Sequence, residues 1–286
     1  MQVCAICKKR NFKKEFKVKD RIIFRCRNCG ILAVSPLPSN TGVKKVIDKV
    51  SKHFYDEYHD EYESYYNYFV DKFRDLKRIK RKGLLVDVGC GPGVFLEVVS
   101  KDKNWQPYGL DLSSEAIKIA KQKKLSARVA ALTKTSFGKK KFDVITAFQL
   151  IEHDRDPLSF LTAARAKLKD GGVLMMTTPS ATGFLARVMR KSWFGYHNHE
   201  HLYFFSPESL SYLVKKAGFE IVLLKTEHGR VIKPFYVWGR LTNYYYTEKN
   251  LLNSLLYKTL SIFKIFDKFI HLREPWVNVY LVARKK

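Results

Sequence analysis

The chain has 286 residues, 46% of them apolar, which suits one α/β domain of ordinary size with accessory segments and excludes wholesale disorder. Lys and Arg number 53 against 27 Asp and Glu, a formal charge of +26 that favours an anionic partner: nucleic acid, an acidic membrane surface, or a phosphorylated or carboxylated substrate. The first residues are polar and hold a CxxC where a secretory signal needs an apolar run, and no uninterrupted apolar run reaches the ~18 residues of a membrane span, so a cytoplasmic protein is expected.

The charge is spread rather than gathered in one tail: residues 1–34 carry ten Lys/Arg against two acids, and residues 226–286 carry eleven against four. A solvated lysine-rich surface accounts for such a spread as well as a polyanionic partner does.

Residues 1–34 form the first unit. Cys4-x2-Cys7 is followed eighteen residues later by Cys26-x2-Cys29-Gly30, and Phe16–Lys19 and Ile22–Arg25 alternate like a small hairpin between them. Two such knuckles facing each other make a tetrahedral four-thiolate site for zinc. A segment this short cannot build an adequate core unaided, so a metal answers a physical need. With Cys4, Cys7, Cys26 and Cys29 all used as ligands, the zinc is structural and keeps no open position. A redox dithiol is the competing use, which two matched pairs disfavour. Cys90 lies apart, as a small filler in a glycine loop.

Residues 35–83 are a turn-rich linker, Ser35 to Gly42, followed by a helical stretch from Val43 to Lys82 without proline or glycine. Its aromatic residues Phe54, Tyr55, Tyr58, Tyr62, Tyr65, Tyr66, Phe69 and Phe73 recur at helical spacing and are expected mostly to pack. From Leu84 the pattern alternates strand and helix. Strands are expected at Leu84–Val88, Pro107–Asp111, Ala127–Ala131, Phe142–Phe148, Val173–Thr178, Phe219–Leu224 and Val277–Ala283. Helices are expected at Gly93–Lys101, Ser114–Lys124, Asp156–Lys169, which Asp170-Gly171-Gly172 ends, and Ser206–Ala217, with Ser206 as N-cap and Pro207 at its first position. Alternation of this kind predicts a mostly parallel sheet covered on both faces. Residues 226–275 interrupt the last two strands as a basic helical insertion. Within it, residues 251–272 place apolar side chains on one face with lysines among them, fit to pack on the protein, to form a dimer contact, or to lie peripherally on an anionic membrane.

The loop Val86-Asp87-Val88-Gly89-Cys90-Gly91-Pro92-Gly93 follows the first of those strands, where open α/β sheets bind ligands. Asp111 closes the next strand, eighteen residues after Gly93, where an acid can accept both hydroxyl hydrogens of a ribose. The spacing is GxGxG rather than GxGxxG. Asp87 would repel a pyrophosphate but suits a ligand carrying an ammonium and a sulfonium. VDVGCGPGVFLEVV resembles the first motif of class I S-adenosylmethionine-dependent methyltransferases, and YGLDLSSEAIKIAK resembles their second. FDVITAFQLIEHDRDPLSFLTAARAKLKDGGVLMMTTPS resembles their fourth strand, the following helix and the fifth strand, and HEHLYFFSPESLSYLVKKAGFE their later helix and strand. The resemblance covers roughly residues 84–225. It implies a Rossmann-like, mostly parallel seven-stranded α/β sheet over residues 84–286, with S-adenosyl-L-methionine as cofactor. By the same resemblance Gly89 and Gly91 contact its methionine part, Asp87 sits near its amino group, Asp111 holds the ribose with Leu112 beside the adenine, and Gln149 lies near the sulfonium. The acid that such proteins often carry after the third strand is missing from Val129–Thr133, so Thr133 or a backbone carbonyl is left to meet the adenine amino group.

A hydroxyl or acidic C–H acceptor needs a base within hydrogen-bond reach. Two clusters offer one: Glu152-His153, and His197-Asn198-His199-Glu200-His201. His201, His199, Glu200 and His153 are the candidate catalytic residues, with Trp193, Phe194 and Tyr196 expected to line the acceptor pocket. A zinc ribbon ahead of such a core resembles sugar methyltransferases, which implies methyl transfer to oxygen or carbon of a small molecule, sugar, glycan or lipid-linked intermediate. RNA methylation is the alternative, disfavoured because Phe148-Gln149-Leu150-Ile151 stands where exocyclic-amine enzymes carry [DN]-P-P-[YF]. A non-catalytic cofactor-binding adaptor is the third reading.

Overall fold

In the computed structural model, residues 3–37, 62–229, 231–232, 272–273 and 277–286 are described. Three antiparallel strands open the chain: β1 (Phe12–Val18), β2 (Arg21–Cys26) and β3 (Leu32–Ser35). The hairpin expected between the cysteine pairs is therefore present, with its first strand starting earlier, at Phe12, and its second extended by one residue at each end. Helix α1 (Tyr62–Ile79) follows, and it puts Phe73 and Leu76 into the core. The expected linker beyond Leu37 and the helical stretch before Tyr62 lie outside the described residues.

The α/β part runs β4 (Gly83–Val88), α2 (Val94–Ser100), β5 (Trp105–Asp111), α3 (Ser114–Gln122), β6 (Ala127–Val129), β7 (Phe142–Phe148), α4 (Pro157–Lys167) and β8 (Leu168–Pro179). Short helices α5 (Phe184–Met189) and α6 (Phe194–His197) lead to β9 (Tyr203–Phe204), α7 (Pro207–Lys216) and β10 (Phe219–Glu227). A two-stranded pair, β11 (Val231–Ile232) with β12 (Leu272–Arg273), precedes the final strand β13 (Asn278–Lys285). The helix expected over residues 251–272 lies outside the described residues, except Leu272, which is in β12.

Seven strands form the main sheet in the order β10-β13-β8-β7-β4-β5-β6. The run from β8 to β6 is parallel, and β13 is antiparallel to both β8 and β10. This is the expected seven-stranded, mostly parallel α/β sheet. The order reverses beside β4, so β4 and its neighbours β5 and β7 present their carboxyl ends at a topological switch point, where such sheets bind ligands. Side chains alternate between two buried layers. Val86, Val88, Ile145 and Leu174 face the layer that holds α4 and α7; Leu85, Val144, Met175 and Tyr280 face α1 and α2. Phe69 stacks tilted against Phe95 and Phe148, each with centroids 5.5 Å away, so the aromatic positions of α1 serve packing.

Local signals explain three of the helix starts. Ser113 caps α3 by accepting from Ala116 N, and Asp156 caps α4 by accepting from Ser159 N. Ser206 and Ser209 cap α7 reciprocally, with Pro207 in the first turn. One boundary differs. Asp170-Gly171-Gly172 does not separate a helix from a strand beginning at Val173. Instead β8 starts at Leu168, which already pairs with Phe142, and the register slips before Val144 meets Val173. Gly171 at φ +69° lets the strand bulge there and continue.

The N-terminal unit is not separate either. β9, from the α/β part, pairs with β3 and completes a four-stranded sheet β1-β2-β3-β9. Val34 N also donates to Leu202 O at 3.0 Å. The four cysteines, Ile23 and Ile31 share one continuous buried cluster with Phe204, Phe205 and Leu210. A short ribbon that cannot bury a core alone borrows one from its neighbour.

Candidate functional site

The cleft at the switch point is built by β4, the glycine loop and β5. Gly89, Gly91 and Gly93 all have left-handed φ, at +74°, +52° and +83°. A Cβ on Gly89 would stand 2.9 Å from Leu150 and one on Gly93 would stand 2.6 Å from Leu125, so these two allow close packing. A Cβ on Gly91 would meet nothing within 4 Å, so the backbone there faces open space that a ligand can enter. Gly91 N donates to Asp111 Oδ2 and Ser113 N donates to Asp111 Oδ1, both at 2.8 Å. Asp111 is thus held in place at the mouth of the loop, with each oxygen retaining lone-pair capacity for a hydroxyl. Burial pushes its carboxyl up, against the opposing backbone bonds. Leu112 is 55% exposed and Val129 52%, two apolar side chains left bare beside Asp111 where a flat aromatic base can lie. Thr133 is bonded within a turn to Ser136.

Asp87 is buried inside β4 and accepts from Thr146 Oγ1 at 2.6 Å. Burial raises its carboxyl to about 7, the Thr146 bond opposes this, and the nearby Asp111 adds to it. A buried acid without a cation partner is a costly arrangement that a ligand ammonium relieves. Gln149 follows β7 with φ +52°, a conformation uncommon for a side chain that large. Its Nε2 donates to Thr177 Oγ1 at 3.1 Å and to Asn278 Oδ1 at 3.4 Å. The turn of β7 therefore holds Gln149 over the ends of β8 and β13.

Three residues further on, Glu152 and His153 meet the segment 197–201. Glu152 is 1% exposed, accepts from Thr178 Oγ1 at 2.9 Å through Oε2, and has no hydrogen-bond partner for Oε1. Burial raises it to about 8. His153 Nδ1 lies 3.1 Å from Glu200 O, so this nitrogen carries the hydrogen and Nε2 keeps its lone pair, 3.8 Å from Glu152 Oε1. Burial pulls the His153 imidazole down to about 4. Glu200 Oε2 is 3.8 Å from His153 Nδ1, and burial raises Glu200 to about 7. The His201 ring stands 5.0 Å from His153. Its Nδ1 reaches Gly195 O at 3.0 Å and its Nε2 reaches Asn198 Nδ2 at 3.2 Å, so both nitrogens are engaged inside its own loop.

Of the four catalytic candidates, His153, Glu200 and His201 come together, with Glu152 behind them. His199 is exposed and points to the hairpin side, where Arg21 and Lys19 join burial in lowering it. The expectation for the aromatic residues needs correcting. Trp193 is 1% exposed and stacks edge-on against Tyr196, which in turn meets Phe16 of β1 and Phe204 of β9 at 4.9 Å each. Trp193 is thereby sealed in the joint between the ribbon and the α/β part, whereas Tyr196 also lines an open groove with Phe16, Met189, Arg190, Lys191 and Ser192.

A family model described as a methyltransferase domain matches residues 58–224, more than half of the chain. The chain belongs to that family. Among curated proteins, a ubiquinone biosynthesis O-methyltransferase of Cereibacter sphaeroides is 29% identical over 165 residues, covering 52% of this chain and 64% of the relative. One of Haemophilus ducreyi is 28% identical over 166 residues, covering 50% and 68%. The chain therefore spans somewhat under two thirds of the first of these relatives. A SAM-dependent methyltransferase of Archaeoglobus fulgidus matches in structure with a TM-score of 0.53 at 17% identity, covering 80% of this chain and all of the other. Coclaurine N-methyltransferase, solved with N-methylheliamine and S-adenosylhomocysteine, matches with a TM-score of 0.50 at 15% identity, covering 77% and 70%. The structural matches bear on fold, and the fold is that of class I methyltransferases.

The ribbon ahead of this methyltransferase domain places its four thiols as a metal requires. Cys4 Sγ and Cys29 Sγ are 3.7 Å apart, Cys7 Sγ and Cys26 Sγ 3.5 Å, and all four sulfurs lie within 4.8 Å of one another. A tetrahedron of ~2.3 Å zinc–sulfur bonds has edges of about 3.8 Å, so the donor set fits a zinc ion. The knuckles close through Lys8 N to Cys4 O and Gly30 N to Cys26 O, with Lys8 and Gly30 at left-handed φ.

Sequence reading missed several polar residues of the methyltransferase domain. Thr146, Thr177, Thr178 and Asn278 lie inside apolar strands, and only their polar character there marks them. Lys72 of α1 is buried against Glu227, which also accepts from Tyr68 OH at 3.2 Å. The signal available was a lysine sharing the helix face of Phe69, Phe73 and Leu76.

Proposed function

We propose that the protein transfers a methyl group from S-adenosylmethionine to an oxygen of a small-molecule acceptor, and that its ribbon holds one structural zinc ion. The observation that carries the reading is a juxtaposition on one strand. β7 abuts the glycine-loop strand β4, is followed directly by Gln149 and, three residues later in the turn, by Glu152 and His153 of an acid–base cluster. The cofactor provides a methyl group on a sulfonium. Gly89 and Gly91 would hold its methionine part, Asp111 its ribose, Asp87 its ammonium and Leu112 its base. Gln149 steers the acceptor into line with the sulfonium, since proximity and alignment supply most of the acceleration in such a displacement. Glu200, poised at about 7, would take the acceptor proton and become neutral, while the neutral His153 donates to the Glu200 carbonyl and holds that residue in place. The curated relatives are named as O-methyltransferases, which supports oxygen as the acceptor atom.

Calorimetry of the folded, zinc-loaded protein with S-adenosylhomocysteine tests the first half, and absence of binding sinks it. Incubation with methyl-labelled S-adenosylmethionine and separate pools of phenols, sugar nucleotides, lipid-linked glycans and bulk RNA tests the second. Label in a small-molecule pool is expected. Label confined to RNA, with binding that survives moderate salt, transfers the acceptor assignment to nucleic acid, the reading that the +26 charge favours.

A further inference from the structure

Arg21 opens β2 at the tip of the ribbon hairpin, opposite Val18. Its guanidinium leaves the ribbon altogether. Nη1 donates to Asn198 O at 2.6 Å and Nη2 donates to His201 O, in residues 177 and 180 positions away. The fork spans the turn, which His153 Nδ1 also meets from outside at Glu200 O, 3.1 Å away, and which carries bonds of its own. His201 N donates to Asn198 O at 3.2 Å, Glu200 N to Asn198 Oδ1 at 3.0 Å, and Asn198 Nδ2 meets His201 Nε2. Arg21 thus ties the first and last residues of the four-residue turn 198–201 to a rigid hairpin.

The same turn carries Glu200 and His201 towards His153. On its far side, Leu202 N and Tyr203 N donate to Glu152 O at 2.8 and 3.2 Å, while β9 pairs with β3. The acid–base cluster is consequently held from two directions: by strand pairing beyond Leu202, and by Arg21 before it. Burial pulls the Arg21 guanidinium down to about 10, with only Asp20 opposing it, so placing a cation here costs free energy that the two charge-assisted bonds offset. A lysine ammonium has no planar fork and cannot hold two carbonyls in one plane.

We propose that Arg21 is a positioning residue for the acid–base cluster, a ribbon side chain that fixes the 198–201 turn so that Glu200 and His201 face His153. The proposal rests on reading that turn as the acceptor side, but its readouts do not need an acceptor. The test uses the full-length, zinc-loaded protein with Arg21→Lys and Arg21→Ala. In Arg21→Lys, hydrogen exchange at peptides covering 195–205 should be about tenfold faster, while the ribbon peptides 4–35 and the zinc content stay as in the wild type. The His201 ring nitrogens, followed by nitrogen-15 NMR, should lose their single-tautomer pattern. S-adenosylhomocysteine affinity should stay within about twofold, because the cleft is built elsewhere. Millimolar guanidinium should restore the ring signals in Arg21→Ala. Wild-type exchange and ring signals in both variants overturn the proposal, as does ribbon loosening equal to that of the turn in Arg21→Lys, which reduces Arg21 to a packing contact. Where no pool takes label but the turn still loosens, the reaction assignment fails and the positioning role stands.

Discussion

The cofactor cleft and the acid–base cluster sit at the ends of neighbouring strands, yet they are assembled in opposite ways. The cleft comes mostly from one stretch of chain, Val86 to Leu112, to which Val129, Thr146 and Gln149 are added from neighbouring strands. The cluster comes from three stretches: the ribbon with Arg21 and β3, the turn after β7 with Glu152 and His153, and the segment 198–204. A site made locally survives the loss of distant parts. A site made by docking depends on everything that docks.

Metal removal separates the two most sharply. The ribbon's cysteines share a buried cluster with Phe204 and Leu210, so stripping the proposed zinc with a chelator, or substituting Cys26→Ser, should expose that seam and free β9. Methyl transfer should fall by a factor of about 1,000 or more, in keeping with loss of both the base and acceptor alignment. S-adenosylhomocysteine affinity should change by no more than a few-fold. Calorimetry beside a label-transfer assay checks this, and equal losses in both would show that the regions are one cooperative unit.

Glu200→Gln tests the cluster alone. A carboxylate base works only when ionised, so kcat should rise with pH through about 7 in the wild type, following the raised Glu200 value. The variant should lose about 100-fold in kcat together with that rising limb, at unchanged KM for the cofactor. On the other side of the comparison, Asp111→Ala should weaken S-adenosylhomocysteine binding by about 30-fold or more, since it would remove the ribose bonds proposed for this carboxylate and releases Gly91 N, and its effect should vanish at saturating cofactor.

This contrast also sets what could be read from sequence. Gly89, Gly91, Asp87 and Asp111 come together at the carboxyl ends of β4 and β5, as their spacing along one segment implies. The sheet order followed from alternation, and the four cysteines from knuckle spacing. His197–His201 stood out as a cluster, but nothing local says that Arg21 reaches Asn198 and His201, or that Trp193 is sealed against the ribbon. Those facts depend on how the hairpin docks, a long-range outcome of burial. Gly171 misled for the opposite reason: a glycine pair after a helix reads as a stop, while strand pairing with β7 turned it into a bulge.

The smallest expected effect is also the most specific to the cleft. Asp87 sits at about 7 in the unliganded protein, well above the ordinary aspartate value of 3.8. A group whose folded value is raised stabilises the fold below its unfolded value and loses that contribution as pH rises through the folded one. The melting temperature of the unliganded protein should therefore fall most clearly between about pH 6.5 and pH 8, with Glu152 and Glu200 adding to the slope in the same direction, while below about pH 6.5 the lowered His153 opposes it. A ligand ammonium reverses the sign at Asp87 alone, because it favours the carboxylate. Binding of S-adenosylhomocysteine should then release a proton below neutrality, and affinity should drop about tenfold from pH 8 to pH 6. Calorimetry in buffers of different ionisation enthalpy measures that proton directly. Asp87→Asn should abolish the release and flatten the affinity profile while leaving the Glu200-dependent rise in kcat intact. If the variant still releases the proton, the ammonium sits elsewhere in the cleft. If it also loses the kcat limb, the two sites titrate as one, and the separation of cleft from cluster fails at the strand they share.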